Sequence, residues 1–211
     1  MMEYRLQLIL DKKALREVKN AGQRILLAKP VNGETPSVVW LSIDPFESTE
    51  VVWKEEYGIY ASNNTVKHGA KITKISETGV PAQDGAFYTL TPQTIFEGPT
   101  PDPSIPRGTF VARNHTSYDA YPSLTFGLTQ SALINQAPQD RKPVSATSAL
   151  ATQTTAMTPF TNVFVWLQAE FESETIITRI YGDYAVAKFG GSVNEVVLEY
   201  DPLLGKFTPN D

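Results

Sequence analysis

The sequence predicts an all-β fold: an antiparallel β-sandwich of about a dozen short strands from two pseudo-symmetric halves, with one short N-terminal helix. Three observations predict it. Short apolar runs, many alternating with polar residues, are separated by Gly, Asn, Asp and Pro roughly every 8 to 12 residues, which is typical of sandwiches and barrels. A group of aromatic motifs occurs twice. Only one segment carries clear signals for the start and the end of a helix.

The aromatic motifs recur in the same order in the second half of the chain. The matched pieces are Val39-Trp40-Leu41 with Val165-Trp166-Leu167, Phe46-Glu47-Ser48 with Phe171-Glu172-Ser173, and Tyr57-Gly58-Ile59-Tyr60-Ala61 with Tyr181-Gly182-Asp183-Tyr184-Ala185. Their separations are 126, 125 and 124 residues, so two one-residue gaps align them. Repetition of a supersecondary unit builds one core from similar parts. We therefore expect a single domain, 1–211, with halves 1–96 and 108–211 around a connector, 97–107.

The first half begins with a strand and the one helix. Apolar residues alternate along 4–10, which predicts a strand. Asp11 is a favourable N-cap for a helix that runs through Lys19, and Gly22 is available to end that helix. The further strands predicted in this half are 25–28, 38–43, 51–53, 57–61, 70–75, 87–90 and 93–96.

The connector, 97–107, contains four prolines: Pro99, Pro101, Pro103 and Pro106. Proline fixes φ and lacks an N–H donor, so the connector is predicted to be extended and to stay out of the centre of a sheet. The strands predicted after it are 109–112, 123–129, 131–134, 163–169, 175–180, 184–189 and 195–200.

Composition argues against several classes of protein. The net charge of −5 argues against nucleic-acid binding, which needs basic residues to displace counterions. The chain has no cysteine and only two separated histidines, His68 and His115, so we expect no disulfide, no metal centre and no cofactor. The N-terminus lacks a secretory h-region, and no run approaches the ~18 apolar residues of a membrane helix. We expect synthesis in the cytoplasm without a signal peptide, which leaves release by a non-classical route open.

Two groups of residues resemble catalytic sets in residue type, and we assign neither to catalysis. His115, Ser117 and Asp119 lie in one short loop, whereas a nucleophile, its base and the orienting group normally come from separate elements. Glu47 and Glu172 could be compared with a glycosidase carboxylate pair, but pseudo-symmetry would place them far apart. We therefore expect a protein that is not an enzyme.

The stretch 143–169 contains 27 residues without one charge, and three interpretations fit it. In the first, it forms core and a covering loop, as uncharged stretches usually do. In the second, the larger region 120–169 forms a homo-oligomer interface, since the centres of interfaces are depleted in charge. In the third, a hairpin at 143–158 inserts into a membrane, although its residues do not alternate strictly between apolar and polar.

Six aromatic residues of the repeat are candidate ligand contacts: Trp40, Tyr57, Tyr60, Trp166, Tyr181 and Tyr184. Their rings could instead pack under loops and at corners, as Trp and Tyr commonly do. The first functional hypothesis is a lectin-like or toxin-like recognition protein whose two equivalent sites bind a glycan or membrane surface as part of a homo-oligomer. The second is a self-assembling structural protein that uses 120–169 as its interface. The third is a pore-forming β-toxin that inserts 143–158.

Overall fold

A computed structural model describes residues 2–210 and confirms the all-β class with one short N-terminal helix. This part of the chain forms sixteen strands, rather than about a dozen, in one eight-stranded sheet and two four-stranded sheets. The elements in chain order are β1 Glu3–Ile9, α1 Lys12–Asn20, β2 Arg24–Ala28, β3 Leu41–Ile43, β4 Ser48–Ser62, β5 Lys74–Glu77, β6 Ala86–Leu90, β7 Phe96–Pro101, β8 Phe110–Asn114, β9 Ser123–Ile134, β10 Ala137–Pro143, β11 Thr147–Leu150, β12 Thr154–Met157, β13 Val163–Gln168, β14 Ala185–Ala187, β15 Glu195–Asp201 and β16 Lys206–Pro209.

Sheet 1, the eight-stranded sheet, combines strands from both ends of the chain. Its order is β10-β9-β4-β1-β15-β16, and in addition β5 pairs with β4 and β11 pairs with β9. β1 pairs antiparallel with β4 and parallel with β15, so the N-terminal strand lies between an early and a late strand. The sheet therefore interleaves strands of 1–96 with strands of 108–211.

Sheet 2 has the order β12-β8-β6-β7, and sheet 3 has the order β14-β13-β2-β3. Both contribute to the same main core as sheet 1, which joins Leu6 of sheet 1, Phe110 of sheet 2 and Leu27 of sheet 3. β1 follows the predicted alternation, since Tyr4, Leu6 and Leu8 are buried. The result is a sandwich-like arrangement whose mostly antiparallel strands share one large apolar core.

Helix α1 forms where its sequence signals place it. The Asp11 side chain accepts a hydrogen bond from the backbone N–H of Ala14 at 2.7 Å, and Ala14 and Val18 are buried against the sheet layers. Gly22 follows the helix with a φ of +64°, a left-handed conformation that glycine adopts without a Cβ penalty. The start and the end of α1 are therefore determined by residues of this segment itself.

Two pairs of predicted strands merge into single long strands. The segments 51–53 and 57–61 are parts of β4, and 123–129 and 131–134 are parts of β9. The charged residues between the first two segments form a bulge, because β4 resumes its pairing with β9 at Tyr57 after leaving it at Trp53. Pairing with a continuous partner strand keeps this polar run in the sheet.

Other predicted strands shift or are missing. The segment 175–180 forms only isolated bridges, Thr175 with Lys71 and Ile176 with Val38. The segments β10, β11, β12 and β16 carry no strong strand pattern of their own, and each pairs with only one neighbouring strand. Edge strands tolerate residues that a central strand excludes, such as the two prolines and three charges of β10.

The sequence repeat corresponds to similar structure only around the tryptophans. The segments that hold Trp40 and Trp166 lead into β3 and form β13, which lie on either side of β2 and both run antiparallel to it. The tyrosine motifs differ: 57–61 lies within β4, whereas 181–184 forms a bend outside the strands. Gly182 has a φ of +83°, which interrupts an extended strand, so the same Tyr-Gly pair supports two conformations.

The Pro-rich connector joins a sheet only at its edge. Its first part belongs to β7, the outermost strand of sheet 2, which pairs with β6 alone. This position agrees with the expectation that prolines stay out of a central strand.

The segment 143–158, which is the first part of the uncharged stretch 143–169, lies within the folded monomer. Val144, Ser145 and Ala146 are buried, β11 then pairs with β9, and β12 pairs with β8. The stretch thus connects sheet 1 with sheet 2 and covers part of the core. Within residues 2–210, the single helix has nine residues, and no helix is long and apolar enough to cross a membrane.

The close approach of this stretch to β9 generates a first prediction. A Cβ added at Gly127 would lie 1.9 Å from the backbone oxygen of Ser145 and 2.5 Å from Cε1 of Tyr60. We expect Gly127→Ala to lower the free energy of unfolding by about 3 kcal/mol, since buried backbone must move to accept the methyl group. Urea unfolding measures this. Gly33→Ala is the control, because no atom lies within 4 Å of its added Cβ; equal unfolding midpoints for the two variants would contradict the prediction.

A buried hydroxyl generates a second prediction. Among residues 2–210, Oγ1 of Thr49 is the one buried side-chain polar atom without a hydrogen-bond partner. Thr49→Val should raise the free energy of unfolding by about 1 kcal/mol, because it removes an unsatisfied polar group at nearly constant volume. Thr129→Val should instead lower the free energy of unfolding, since it removes the hydrogen bond that Oγ1 of Thr129 donates to Glu77 Oε1 at 2.6 Å. The same sign of change for both variants in urea unfolding would refute this explanation.

Candidate functional site

The structure divides the six predicted contact residues into two groups. Trp40, Tyr57, Tyr60 and Trp166 are at most 2% exposed, whereas Tyr181 and Tyr184 are each 46% exposed. The first four side chains pack in the core, so in the folded monomer they present no surface to a ligand. The two sites expected from the repeat are therefore not equivalent, and only the second copy of the tyrosine motif reaches solvent.

Trp40 and Tyr57 are buried around a charged side chain, Lys29, that follows β2 and is itself fully buried. The Lys29 ammonium group donates to Glu55 Oε1 at 2.7 Å, to Tyr57 Oη at 3.0 Å and to Gln130 Oε1 at 2.9 Å. An ammonium group has three donors, and all three are used. We refer to Lys29, Glu55, Tyr57 and Gln130 as the lysine network.

Aromatic rings enclose the lysine network. The Lys29 Nζ atom lies 5.6, 5.5 and 5.4 Å from ring centroids of Trp40, Trp53 and Tyr57, within the range of cation–π attraction. The indole of Trp53 donates to Glu55 Oε1 at 2.8 Å, and the hydroxyl of Tyr57 donates to Glu55 Oε2. The polar atoms of these aromatic side chains are thus satisfied inside the fold, which explains why the rings are buried.

Burial and charge pairing set the protonation of the network. Burial lowers the pKa of Lys29, and the neighbouring Glu55 opposes this change. Burial alone would raise the pKa of Glu55, but the Lys29 charge and the hydrogen bonds from Lys29, Tyr57 and Trp53 bring it below its ordinary value of 4.5. Burial, and then the Glu55 charge, raise the pKa of Tyr57 well above its ordinary value. The network is an internally satisfied ion pair, and we assign it a structural role.

Tyr60 and Trp166 are also used by the fold. The Tyr60 hydroxyl donates to the backbone oxygen of Ser145 at 2.7 Å and so holds the uncharged stretch against β4. Trp166 lies on the other face of sheet 3 in a second core with Leu26 and Phe164, and its indole donates to Gln168 Oε1 at 3.0 Å. A loop, 169–184, covers this second core.

The covering loop is anchored by backbone hydrogen bonds on both sides. Its residues 174–177 lie between 37–39 and 69–72. Val39 N–H donates to Thr175 O at 2.8 Å on one side, and Ile176 N–H donates to Ala70 O at 2.8 Å on the other. The residues that follow this anchored segment, 178–184, lie at the surface.

An open cleft of about 510 Å³ lies between the emerging loop and sheet 3. Its lining residues are Glu34, Thr35, Phe164, Thr178, Arg179, Ile180, Tyr184 and Val186. The rings of Tyr184 and Phe164 lie 5.3 Å apart, centroid to centroid, at an angle of 35°. We call these lining residues the aromatic cleft. It combines an aromatic wall with a carboxylate, two threonine hydroxyls and a guanidinium group.

Tyr181 does not line the aromatic cleft but packs against Arg179, which does. The guanidinium carbon of Arg179 lies 4.3 Å from the centroid of the Tyr181 ring. That ring packs edge-on against His68 at 5.6 Å, and His68 Nδ1 accepts a hydrogen bond from the backbone N–H of Thr178 at 3.1 Å. Of the two exposed tyrosines, Tyr184 therefore lines the cleft and Tyr181 positions the arginine.

Sequence reasoning missed the other members of the aromatic cleft. Phe164 could have been found, because it lies two residues from Trp166 and so on the same face of β13. Arg179 and Glu34 had no such signal, since they lie on separate loops that only the fold brings together.

The remaining candidates do not assemble into a site. Glu172 is exposed and forms an ion pair with Lys71 at 2.7 Å. Across residues 2–210, no group of three or more His, Cys, Asp or Glu side chains is placed to hold a metal ion. A second groove, of about 240 Å³, crosses the outer face of sheet 1 over Val52, Val80 and Leu133, but its one aromatic wall residue, Trp53, is almost completely buried.

The charge of the lysine network generates a third prediction. The pKa of Glu55 is lowered in the folded protein, so its contribution to stability is present above pH 4.5 and is lost as the pH falls through the lower folded-state value. Glu55→Gln should therefore cost about 3 kcal/mol near neutral pH, and this difference from the wild type should shrink below pH 4.5.

Urea unfolding of both proteins at a series of pH values tests this expectation. Glu50→Gln is the matched control, because Glu50 pairs with Arg5 on the surface at 3.1 Å and should change stability little at any pH. A stability difference between wild type and Glu55→Gln that does not depend on pH would show that the ion pair is not its cause.

Comparison of the chain with protein-family models, with curated proteins and with solved structures finds no match.

Proposed function

We propose that the protein is a non-enzymatic recognition protein that binds a carbohydrate in the aromatic cleft. The observation that carries the proposal is the exposed ring of Tyr184, held beside Phe164 at the wall of an open cleft. Exposed aromatic side chains in a concave surface are typical of ligand contacts, since water is a poor environment for them.

The chemistry of the aromatic cleft suits a sugar ring. The C–H faces of a pyranose are apolar and pack on aromatic rings, while its hydroxyls need both donors and acceptors. Tyr184 and Phe164 supply the apolar wall. The Glu34 carboxylate accepts hydrogen bonds, the Arg179 guanidinium donates them, and the hydroxyl of Thr178 does either. Every class of contact that a sugar requires is therefore available within one cleft.

An open cleft of this size supports weak binding by a single copy, and we propose that a homo-oligomer raises the avidity. Linked sites increase the effective concentration of the second binding event without new contacts. The region 120–169 supports assembly, since it exposes the large apolar side chains of Leu133, Leu150 and Phe160. Self-assembly without a ligand remains the second candidate function, and these three side chains favour it.

A membrane-inserting role for 143–158 has less support. In the monomer this stretch is held by the pairing of β11 with β9 and of β12 with β8. Insertion would require both sets of backbone hydrogen bonds to open and the buried Val144–Ala146 segment to leave the core.

Carbohydrate binding generates a fourth prediction. A glycan array identifies the bound sugar, and isothermal titration then measures its affinity. Tyr184→Ala should weaken binding about tenfold, because it removes the stacking surface. Its melting temperature should stay close to the wild-type value, since the ring is half exposed. Tyr118→Ala is the control: Tyr118 is 66% exposed and lies outside the cleft, so binding should not change. Absence of binding to every glycan, or equal binding by Tyr184→Ala, would refute the proposal.

A further inference from the structure

The aromatic cleft holds one cation and one carboxylate on different chain segments. Arg179 lies on the covering loop, and Glu34 lies on the segment between β2 and β3. The other lining residues are uncharged. A sugar in this cleft therefore meets one positive group and one negative group, which are carried by different segments of the chain.

Arg179 differs from most arginines of this protein. Arg5, Arg24, Arg113 and Arg141 each have a carboxylate oxygen within 4.0 Å, at distances of 3.1, 2.6, 3.8 and 3.7 Å. Within residues 2–210 the Arg179 guanidinium forms no such ion pair, and it lies over the Tyr181 ring instead. Among these described residues, no carboxylate therefore engages the N–H groups of Arg179.

The position of this guanidinium is set before any ligand arrives. The Tyr181 ring supports one face of Arg179, His68 packs against Tyr181, and the hydrogen bond from Thr178 to His68 ties the loop to its neighbour. An arginine that already stacks on a ring loses little conformational entropy when it binds a ligand. Its planar guanidinium group can donate two parallel hydrogen bonds to one oxyanion.

We infer that the aromatic cleft selects acidic saccharides, whose carboxylate or sulfate group binds Arg179 while the sugar ring packs on Tyr184. This inference rests on the proposed carbohydrate binding. Glu34 favours one orientation of the bound sugar, because its carboxylate repels the acidic group and accepts hydrogen bonds from sugar hydroxyls. The chain as a whole carries a net charge of −5, so general attraction of anions does not explain such binding.

The experiment compares acidic sugars with their neutral parents. The probes are sialyllactose against lactose, glucuronic acid against glucose, and galactose 6-sulfate against galactose, each titrated into the intact 211-residue chain. At least one acidic sugar should bind about tenfold more tightly than its parent, since one bidentate charge-assisted contact gives a difference of this size. The carboxylate and sulfate pairs distinguish which oxyanion is preferred.

Variants at Arg179 assign the preference to this side chain. Arg179→Gln should lose the preference, so that acidic and neutral sugars bind with similar affinity, whereas Arg179→Lys should keep part of the preference. Arg16→Gln, on the exposed face of α1, changes the net charge by the same amount and should have no effect. The melting temperature of each variant checks that it is folded.

The outcomes separate this inference from the proposed function. If acidic and neutral sugars bind equally and Tyr184→Ala weakens both, acid selectivity is wrong and carbohydrate binding stands. If the preference survives in Arg179→Gln, the assignment to Arg179 is wrong. If no sugar binds, both fail. Binding only to vesicles that contain phosphatidylserine would likewise overturn the inference, because the arginine would then recognise a lipid phosphate.

Discussion

The buried charge of Lys29 is the constraint on which the rest of the structure depends. A lysine that is fully removed from water needs a counter-charge and a partner for each N–H, and a lost partner leaves an uncompensated charge inside the protein. Glu55, Tyr57 and Gln130 meet this need from β4 and β9, while Lys29 itself follows β2 of sheet 3. The lysine network therefore connects two sheets at one point of the core.

The bulge in β4 follows from the same constraint. Between Trp53 and Tyr57 the pairing with β9 is interrupted, and Glu55 is turned toward Lys29 at this place. The Gln130 side chain donates to the backbone oxygen of Lys54 at 2.7 Å, so the bulge also satisfies backbone that has left the ladder. An irregularity in a central strand is thus stabilised by the charge that it helps to bury.

The surface with the aromatic cleft is a consequence of how sheet 3 is covered. One face of this sheet packs in the main core, and the other is apolar because of Trp166 and its neighbours. A loop of irregular structure covers that second face, and irregular backbone tolerates Gly182 in a left-handed conformation. The bend at Gly182 keeps Tyr181 and Tyr184 at the surface, whereas the equivalent tyrosines in β4 are buried by neighbouring strands.

The sequence alone determined the class of fold, the N-terminal strand, the capped helix and the edge position of the prolines, because alternation, capping and missing donors act through neighbouring residues. The sequence also indicated Tyr184 as a candidate ligand contact. Only the tertiary structure decided that Trp40 and Tyr57 surround a buried lysine, and that Arg179 and Glu34 share a cleft with Phe164. Lys29 and Gln130 are 101 residues apart in the chain, and no local pattern encodes a contact over such a distance. Burial of a repeated motif depends on the strands packed against it, which the motif itself does not specify.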